Sequence, residues 1–261
     1  MQHCPLCDAD LFPTVKRAGL PLQSCPACGF VAIDLEQWQS PYAGGEYYAD
    51  LTAPHVDWQR SFLQHRVAGV RRFLPSGYVL ELGAGIGETA LALAQAGYRV
   101  DAVEESPKAV SYLQANHPTV SWHQAEILDY LAHTPDATYD AVTLFHVLEH
   151  IPRPHRLAKE LSRVVSSGGI AAIELPNLAG LQARLKGERW HYLQAHHVNY
   201  FHLGTLQRLM EPHGFELLGH EEKYHFSHPQ GVLWKDRIKS LLAKIGFADI
   251  LCTWWRRSTM R

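Results

Sequence analysis

The chain has 261 residues, of which 46% are hydrophobic and 19% charged, with a formal net charge of -2. That balance excludes a disordered chain and leaves room for one α/β domain of ordinary size plus a small appendage. It also argues against a large nucleic-acid interface, which needs a clear excess of Lys and Arg.

No apolar run approaches the roughly 18 residues of a membrane span. The start, Met-Gln-His-Cys, has no basic region followed by an apolar stretch, so a cytoplasmic location is expected.

Four of the five cysteines lie near the start, as Cys4-Pro-Leu-Cys7 and Cys25-Pro-Ala-Cys28. A two-residue gap lets a tight turn aim both thiolates at one ion, and two such knuckles complete a tetrahedral Zn(2+) site. The segment between them is too short to build a core, so the metal is expected to be structural and to supply most of its folding free energy. A redox pair and four unrelated cysteines are the alternatives. Cys252 stands apart and reads as a packed strand residue.

Residues 1–35 are therefore expected to form a zinc ribbon, with Gly29 to Ile33 as its last strand. A Pro/Gly/Tyr-rich linker follows over 36–57, and the main domain runs over 58–261. Helical periodicity marks Trp58 to Leu74, ending at Pro75-Ser76-Gly77. Strands are then expected over Tyr78–Leu82, Arg99–Val103, Val120–His123, Tyr139–Leu144 and Ile170–Leu175.

Helices fall between them over Glu88–Gln95, from Pro107 to about Ala115, and over Arg153–Val165, the last closed by Gly168-Gly169. This alternation predicts a doubly wound, mostly parallel sheet. Phe215–Glu221 and Ile250–Trp255 read as late strands, antiparallel in character.

The turn Glu81-Leu82-Gly83-Ala84-Gly85-Ile86-Gly87 follows the first of these strands. Glycines there allow positive φ and close backbone approach to a ligand, at a helix N-terminus facing the crevice. Alone it names only a ligand loop. Glu81 before the glycines suits a cationic sulfonium cofactor. Glu104 ends the next strand, where a carboxylate can take ribose hydroxyls, and Glu126 follows the third, where an acid can accept from an adenine amine.

That order, completed by Phe145-His146-Val147-Leu148-Glu149-His150-Ile151, resembles the class I S-adenosylmethionine-dependent methyltransferases. It is most similar to the small-molecule branch with ubiquinone O-methyltransferases and sugar methyltransferases. The resemblance covers about 60–255 and implies a Rossmann-like, seven-stranded sheet. It also implies S-adenosylmethionine held by Glu81, Gly83, Ala84, Gly85 and Gly87, by Glu104 with Glu105, and by Glu126 with Ile127. His146 is placed beside the transferable methyl. Glu at 104 and 126 departs from the more usual Asp. A metal tie through Glu149 and His150 occurs in some quinone enzymes of this kind, but His146 stands where they carry a further glutamate.

Residues 178–204 are expected to cover the substrate. Within them Trp190 to Phe201 resembles a segment of zinc-ribbon sugar methyltransferases, aligning His197 with their base-like histidine. His197 and His196 are thus read either as a base with its neighbour or as pocket-wall residues capping a helix near Leu203. Tyr48, with Tyr47, is a candidate contact to cofactor or substrate.

An apolar stripe through Trp234, Ile238, Leu241 and Ile245, edged by lysines, reads as a docked helix or a basic surface helix. The expectation is a methyltransferase acting on oxygen or carbon of a small-molecule acceptor, as monomer or homodimer. The alternative is a zinc-ribbon rRNA/tRNA base methyltransferase.

Overall fold

A computed structural model describes residues 3–13, 19–36, 57–223 and 248–259. Tyr47, Tyr48 and the stripe from Trp234 to Ile245 lie outside the described residues.

Three short strands open the chain: β1 (Phe12–Pro13), β2 (Leu22–Ser24) and β3 (Val31–Ile33). After α1 (Asp57–Phe73) come β4 (Tyr78–Leu82), α2 (Glu88–Gln95), β5 (Arg99–Glu104), α3 (Pro107–Asn116) and β6 (Ser121–Gln124). Then follow α4 (Ile127–His133), β7 (Tyr139–Phe145), α5 (Pro154–Val164) and β8 (Val165–Pro176). The chain continues through α6 (Leu181–Lys186), β9 (Asn199–Tyr200), α7 (Leu203–Met210), β10 (Phe215–Lys223) and β11 (Ile250–Arg257).

Seven strands form the central sheet in the order β10-β11-β8-β7-β4-β5-β6. β4 to β8 are mutually parallel, and β11 runs antiparallel between β8 and β10. The chain order reverses between β4 and β7, so a crevice opens at their carboxyl ends, where open α/β sheets take ligands. Both faces are covered, which is why β4, β7 and the second half of β8, from Ile170, are buried along most of their length. Among the described residues no helix is long and apolar enough to cross a membrane.

Sequence pattern located most of the longer elements but not β1, β2, α6 or β9, and three further differences stand out. The pair Gly168-Gly169 does not close α5; β8 begins directly at Val165. Its register against β7 shifts between Tyr139–Val165 and Ala141–Ile170, and Gly168 takes φ +80° within that bulge. Helix α4 was not anticipated, because its seven residues carry too little periodicity to signal it. And α7 is capped by His202, whose side chain pairs with the backbone of Thr205 in a reciprocal box, not by His196 or His197.

The first strands are not a free-standing module. They form one four-stranded sheet, β1-β2-β3-β9, whose last member comes from the main domain. Cys4, Leu11, Cys25 and Phe30 share a core with Leu144, Phe201 and Leu206, and the rings of Phe30 and Phe201 lie 5.3 Å apart.

Candidate active site

The glycine turn leaves β4 and enters α2. Gly83, Gly85 and Gly87 all have positive φ, at +68°, +58° and +84°. At Gly83 a Cβ would stand 2.6 Å from Val147, and at Gly87 2.7 Å from Leu113 and Trp122. Two of the three glycines are thus demanded by packing as well as conformation. Gly87 caps α2 without any side-chain bond, which leaves the first amides of that helix to the crevice.

Glu81 is buried at the end of β4, and its Oε2 has no hydrogen-bond partner among the described residues. Burial pushes its carboxyl up to about 8, against the pull of the Arg66 guanidinium and of Thr89. Glu104 ends β5 and uses both oxygens: Gly85 N–H donates to Oε2 at 2.8 Å and Ser106 N–H to Oε1 at 2.9 Å. Burial still holds its carboxyl above the usual range. Glu105 next to it is exposed. Glu126 is exposed and caps α4, accepting from Asp129 N–H at 2.9 Å, with Ile127 as the first helical residue.

His146 follows β7 with φ +59°, a conformation rare for a non-glycine residue and concentrated at functional sites. Its ring lies between two buried carboxylates, Nδ1 3.2 Å from Glu149 and Nε2 3.5 Å from Glu174. It also stacks on Tyr192, with ring centroids 6.3 Å apart. Glu174 in turn holds Arg66 from α1, whose Nε lies 3.0 Å from Glu174 Oε1 and whose Nη1 donates to Thr89 at 3.1 Å. The same guanidinium sits 4.7 Å over the Phe145 ring.

His197 lies at the other side of this group, 5% exposed. Its Nδ1 is 2.7 Å from Tyr192 O; a carbonyl only accepts, so the proton is on Nδ1 and Nε2 carries the lone pair. His150 repeats the arrangement, with Nδ1 2.9 Å from the carbonyl of His196. His196 stacks its own ring on His150, centroids 5.4 Å apart. Burial pushes His197 down to about 4, although the nearby Glu149 carboxylate pulls the other way. Burial also lowers His196. Burial would raise Glu149, but the His146 hydrogen bond and the three neighbouring imidazoles hold it at about 2.

Ligand atoms of Glu149, His150 and His197 lie within 4.8 Å of one another, a set that could hold a cation. The four ribbon cysteines cluster equally closely. Cys4 and Cys28 sulfurs are 3.6 Å apart and those of Cys7 and Cys25 3.4 Å. A tetrahedron of about 2.3 Å bonds has edges of about 3.8 Å, whereas a disulfide needs about 2.05 Å. The four thiols fit a Zn(2+) ion and not two disulfides.

The structure thus brings Glu81, the glycine turn, Glu104 and His146 to the carboxyl ends of adjacent strands, with Glu126 just beyond β6. His146, Glu149, His150, His196 and His197 form one cluster beside them. Sequence reading missed Arg66 and Glu174. Glu174 could have been found, since a lone carboxylate inside the apolar run from Ile170 to Leu175 needs a buried cation. Cys252, packed in β11, donates to its other oxygen at 3.3 Å.

Residues 58–220 match the family model of a methyltransferase domain, and the chain belongs to that family. Its architecture is that of the class I S-adenosylmethionine-dependent methyltransferases. A solved S-adenosylmethionine-dependent methyltransferase from Archaeoglobus fulgidus superposes with a TM-score of 0.56 at 19% identity, covering 74% of this chain and 94% of that one.

A probable S-adenosylmethionine-dependent methyltransferase of Mycobacterium tuberculosis is 30% identical over 131 residues, 49% of this chain and 47% of the relative. A ubiquinone biosynthesis O-methyltransferase of Paracidovorax citrulli is 30% identical over 96 residues, 35% of this chain and 40% of the relative. The chain therefore spans about half or less of the length of these curated relatives.

Proposed function

We propose that the protein transfers a methyl group from S-adenosylmethionine to an oxygen or carbon of a small-molecule acceptor, of sugar, quinone-like or natural-product type. The observation that carries this reading is the buried Oε2 of Glu81 beside the glycine turn, which has no hydrogen-bond partner among the described residues, in a chain of this family. A carboxylate so desolvated calls for a cationic ligand group. Arg66, the nearby cation, is already engaged by Glu174 and Thr89.

The cofactor supplies a methyl group on a positively charged sulfur. Glu81 and the turn from Gly83 through Ala84 and Gly85 to Gly87 hold its methionine end. Glu104 takes the ribose, its oxygens fixed by the Gly85 and Ser106 amides but each keeping a second lone-pair direction. Glu126 with Ile127 lies at the adenine, and Glu105 flanks the ribose site. His146, locked between Glu149 and Glu174, forms the floor near the reacting carbon.

On the acceptor side His197 Nε2 takes the proton that the acceptor loses as it attacks. The Nδ1–H bond to Tyr192 keeps the ring in that tautomer, and the ionised Glu149 offsets the charge that develops on it. His196 acts through its carbonyl, which orients His150. Tyr48, outside the described residues, is proposed as a contact to cofactor or substrate on the resemblance alone. Resemblance in names to small-acceptor enzymes supports the acceptor class, and the ribbon is proposed to carry Zn(2+) as a structural ion.

The test is incubation of the protein with methyl-labelled cofactor and metabolite extracts, with and without ribonuclease. Label is expected in a ribonuclease-resistant small-molecule fraction. Label that vanishes on ribonuclease treatment would instead establish RNA as the acceptor.

A further inference from the structure

The ribbon and the acceptor-side histidines are joined by a single strand pairing. β3 pairs with β2 on one side and with β9 on the other, Val31 opposite Tyr200 and Ala32 opposite Asn199. Beyond the ladder, the amide of Ile33 donates to Val198 O at 2.9 Å. Val198 directly follows His197. Its own amide donates to the carbonyl of Glu149 at 2.8 Å, and Asn199 Nδ2 donates to Ile151 O at 2.6 Å. The chain is thus tied to the ribbon and to the Glu149–Ile151 segment within two residues of His197.

Neither partner of this pairing stands alone. β9 has two residues and β3 three, far below what an isolated ladder needs. From Trp190 to His197 the backbone is held by turn bonds, Leu193 N–H to Trp190 O at 2.9 Å and His197 N–H to Gln194 O at 3.1 Å. The turn that launches β3 is the Cys25–Cys28 knuckle, closed by Gly29 N–H to Cys25 O at 2.8 Å and Cys25 N–H to Phe30 O at 2.8 Å. Gly29, at φ +76°, lies against the ring of His202, the cap of α7. Both sides of the acceptor segment, β9 and the start of α7, therefore rest on the same knuckle.

The cofactor crevice is built differently. Its turn springs from β4, which is flanked by β5 and β7 in the middle of the seven-stranded sheet, and among the described residues none of those strands pairs with the ribbon.

We propose that the metal held by Cys4, Cys7, Cys25 and Cys28 sets the position of His197, acting through the knuckle, β3 and β9. Ile33 and Asn199 are positioning residues in this chain of contacts. Loss of the ion displaces His196 and His197 from Glu149 and His150 and leaves the cofactor crevice standing. The inference rests on reading the four thiols as a zinc centre and His197 as the acceptor-side group, so its test does not use turnover.

Full-length protein is analysed for zinc as purified, then stripped by chelator with reversible thiol capture, and reloaded. Amide hydrogen exchange is followed in peptides covering 190–201 and 78–87, with cofactor affinity measured alongside. The exchange of Val198 is expected to rise by about tenfold or more on stripping and to recover on reloading, while Val79 to Leu82 and cofactor affinity change by less than about twofold. Unchanged protection of Val198 after the ion leaves overturns the coupling, and so does equal loss of protection in both peptides.

Protein that contains no zinc as purified overturns the zinc centre itself, a distinct failure. The variant Ile33→Pro keeps all four thiols but removes the amide that reaches Val198. It is expected to carry its full zinc and still exchange faster at Val198, and a fully protected Val198 in that variant counts against the proposal. Should this variant not fold, the stripping of the wild-type protein decides.

Discussion

Arg66 on α1 and the buried Glu174 on β8 form a partly buried ion pair, Nε to Oε1 at 3.0 Å, that fastens the helix preceding the central sheet to the floor of the crevice. The guanidinium is fully engaged: it also reaches Thr89 at the start of α2 and covers the face of Phe145. Removing the arginine leaves the buried Glu174 carboxylate with only the His146 ring and the Cys252 thiol beside it, at a cost of up to about 3–5 kcal/mol. Arg66→Met is therefore expected to lower stability by about that amount in denaturant titration. The double change Arg66→Met with Glu174→Gln is expected to regain most of it. Equal losses in the single and double variants would show that the pair contributes little.

Gly83 carries a second prediction, in which backbone strain and a steric clash both act. Gly83→Ala places a Cβ 2.6 Å from Val147 and forces an L-residue into φ +68°. Left-handed strain alone costs about 1–3 kcal/mol. A drop of at least that size is expected in thermal melts. Adding Val147→Ala is expected to restore the part due to the clash but not the part due to strain. Full restoration would mean that the backbone at 83 relaxes freely.

The pH dependence of turnover tests the base. His197 is depressed to about 4 by burial, with Glu149 opposing, against about 6.5 for a free imidazole. The ring is protonated, and useless as a base, only below that value. The acid limb of kcat/KM is expected near pH 4 to 5, and His197→Ala is expected to reduce kcat by about a hundredfold or more with cofactor affinity preserved. A limb near 6.5, or normal activity in the variant, would remove His197 from this role. The same depression makes the folded state most favoured above pH 6.5. That contribution is lost as the pH falls through about 4.

Much of this was legible in the sequence. The turn from Glu81 to Gly87, the alternation from Tyr78 to Leu175 and the two C-x2-C pairs are local patterns, and local patterns survive folding. What escaped was long-range. No periodicity announces that β9 completes the ribbon's sheet, because two residues carry no period. Arg66 and Glu174 are separated by 108 positions and meet only once α1 docks. His202 took the cap expected of its neighbours because capping depends on φ and ψ at one residue. Glu126 is more engaged than its motif position suggests, for one of its oxygens caps α4.

The most direct test of the account is calorimetry of S-adenosylmethionine binding at pH 7 in buffers of different ionisation enthalpy. Glu81 is held protonated up to about pH 8 in the free protein, and its protonated form is favoured less once a cationic ligand group sits beside it. Binding is expected to release close to one proton in the wild type and none in Glu81→Gln, which is also expected to bind at least about tenfold more weakly. Glu81→Gln should in addition gain stability relative to the wild type as the pH rises from the ordinary carboxyl range to about 8, because over that interval the unfolded chain ionises Glu81 while the folded chain holds its proton. Saturable binding with no proton release, and with the same affinity in Glu81→Gln, would contradict the assignment of this crevice to the cofactor.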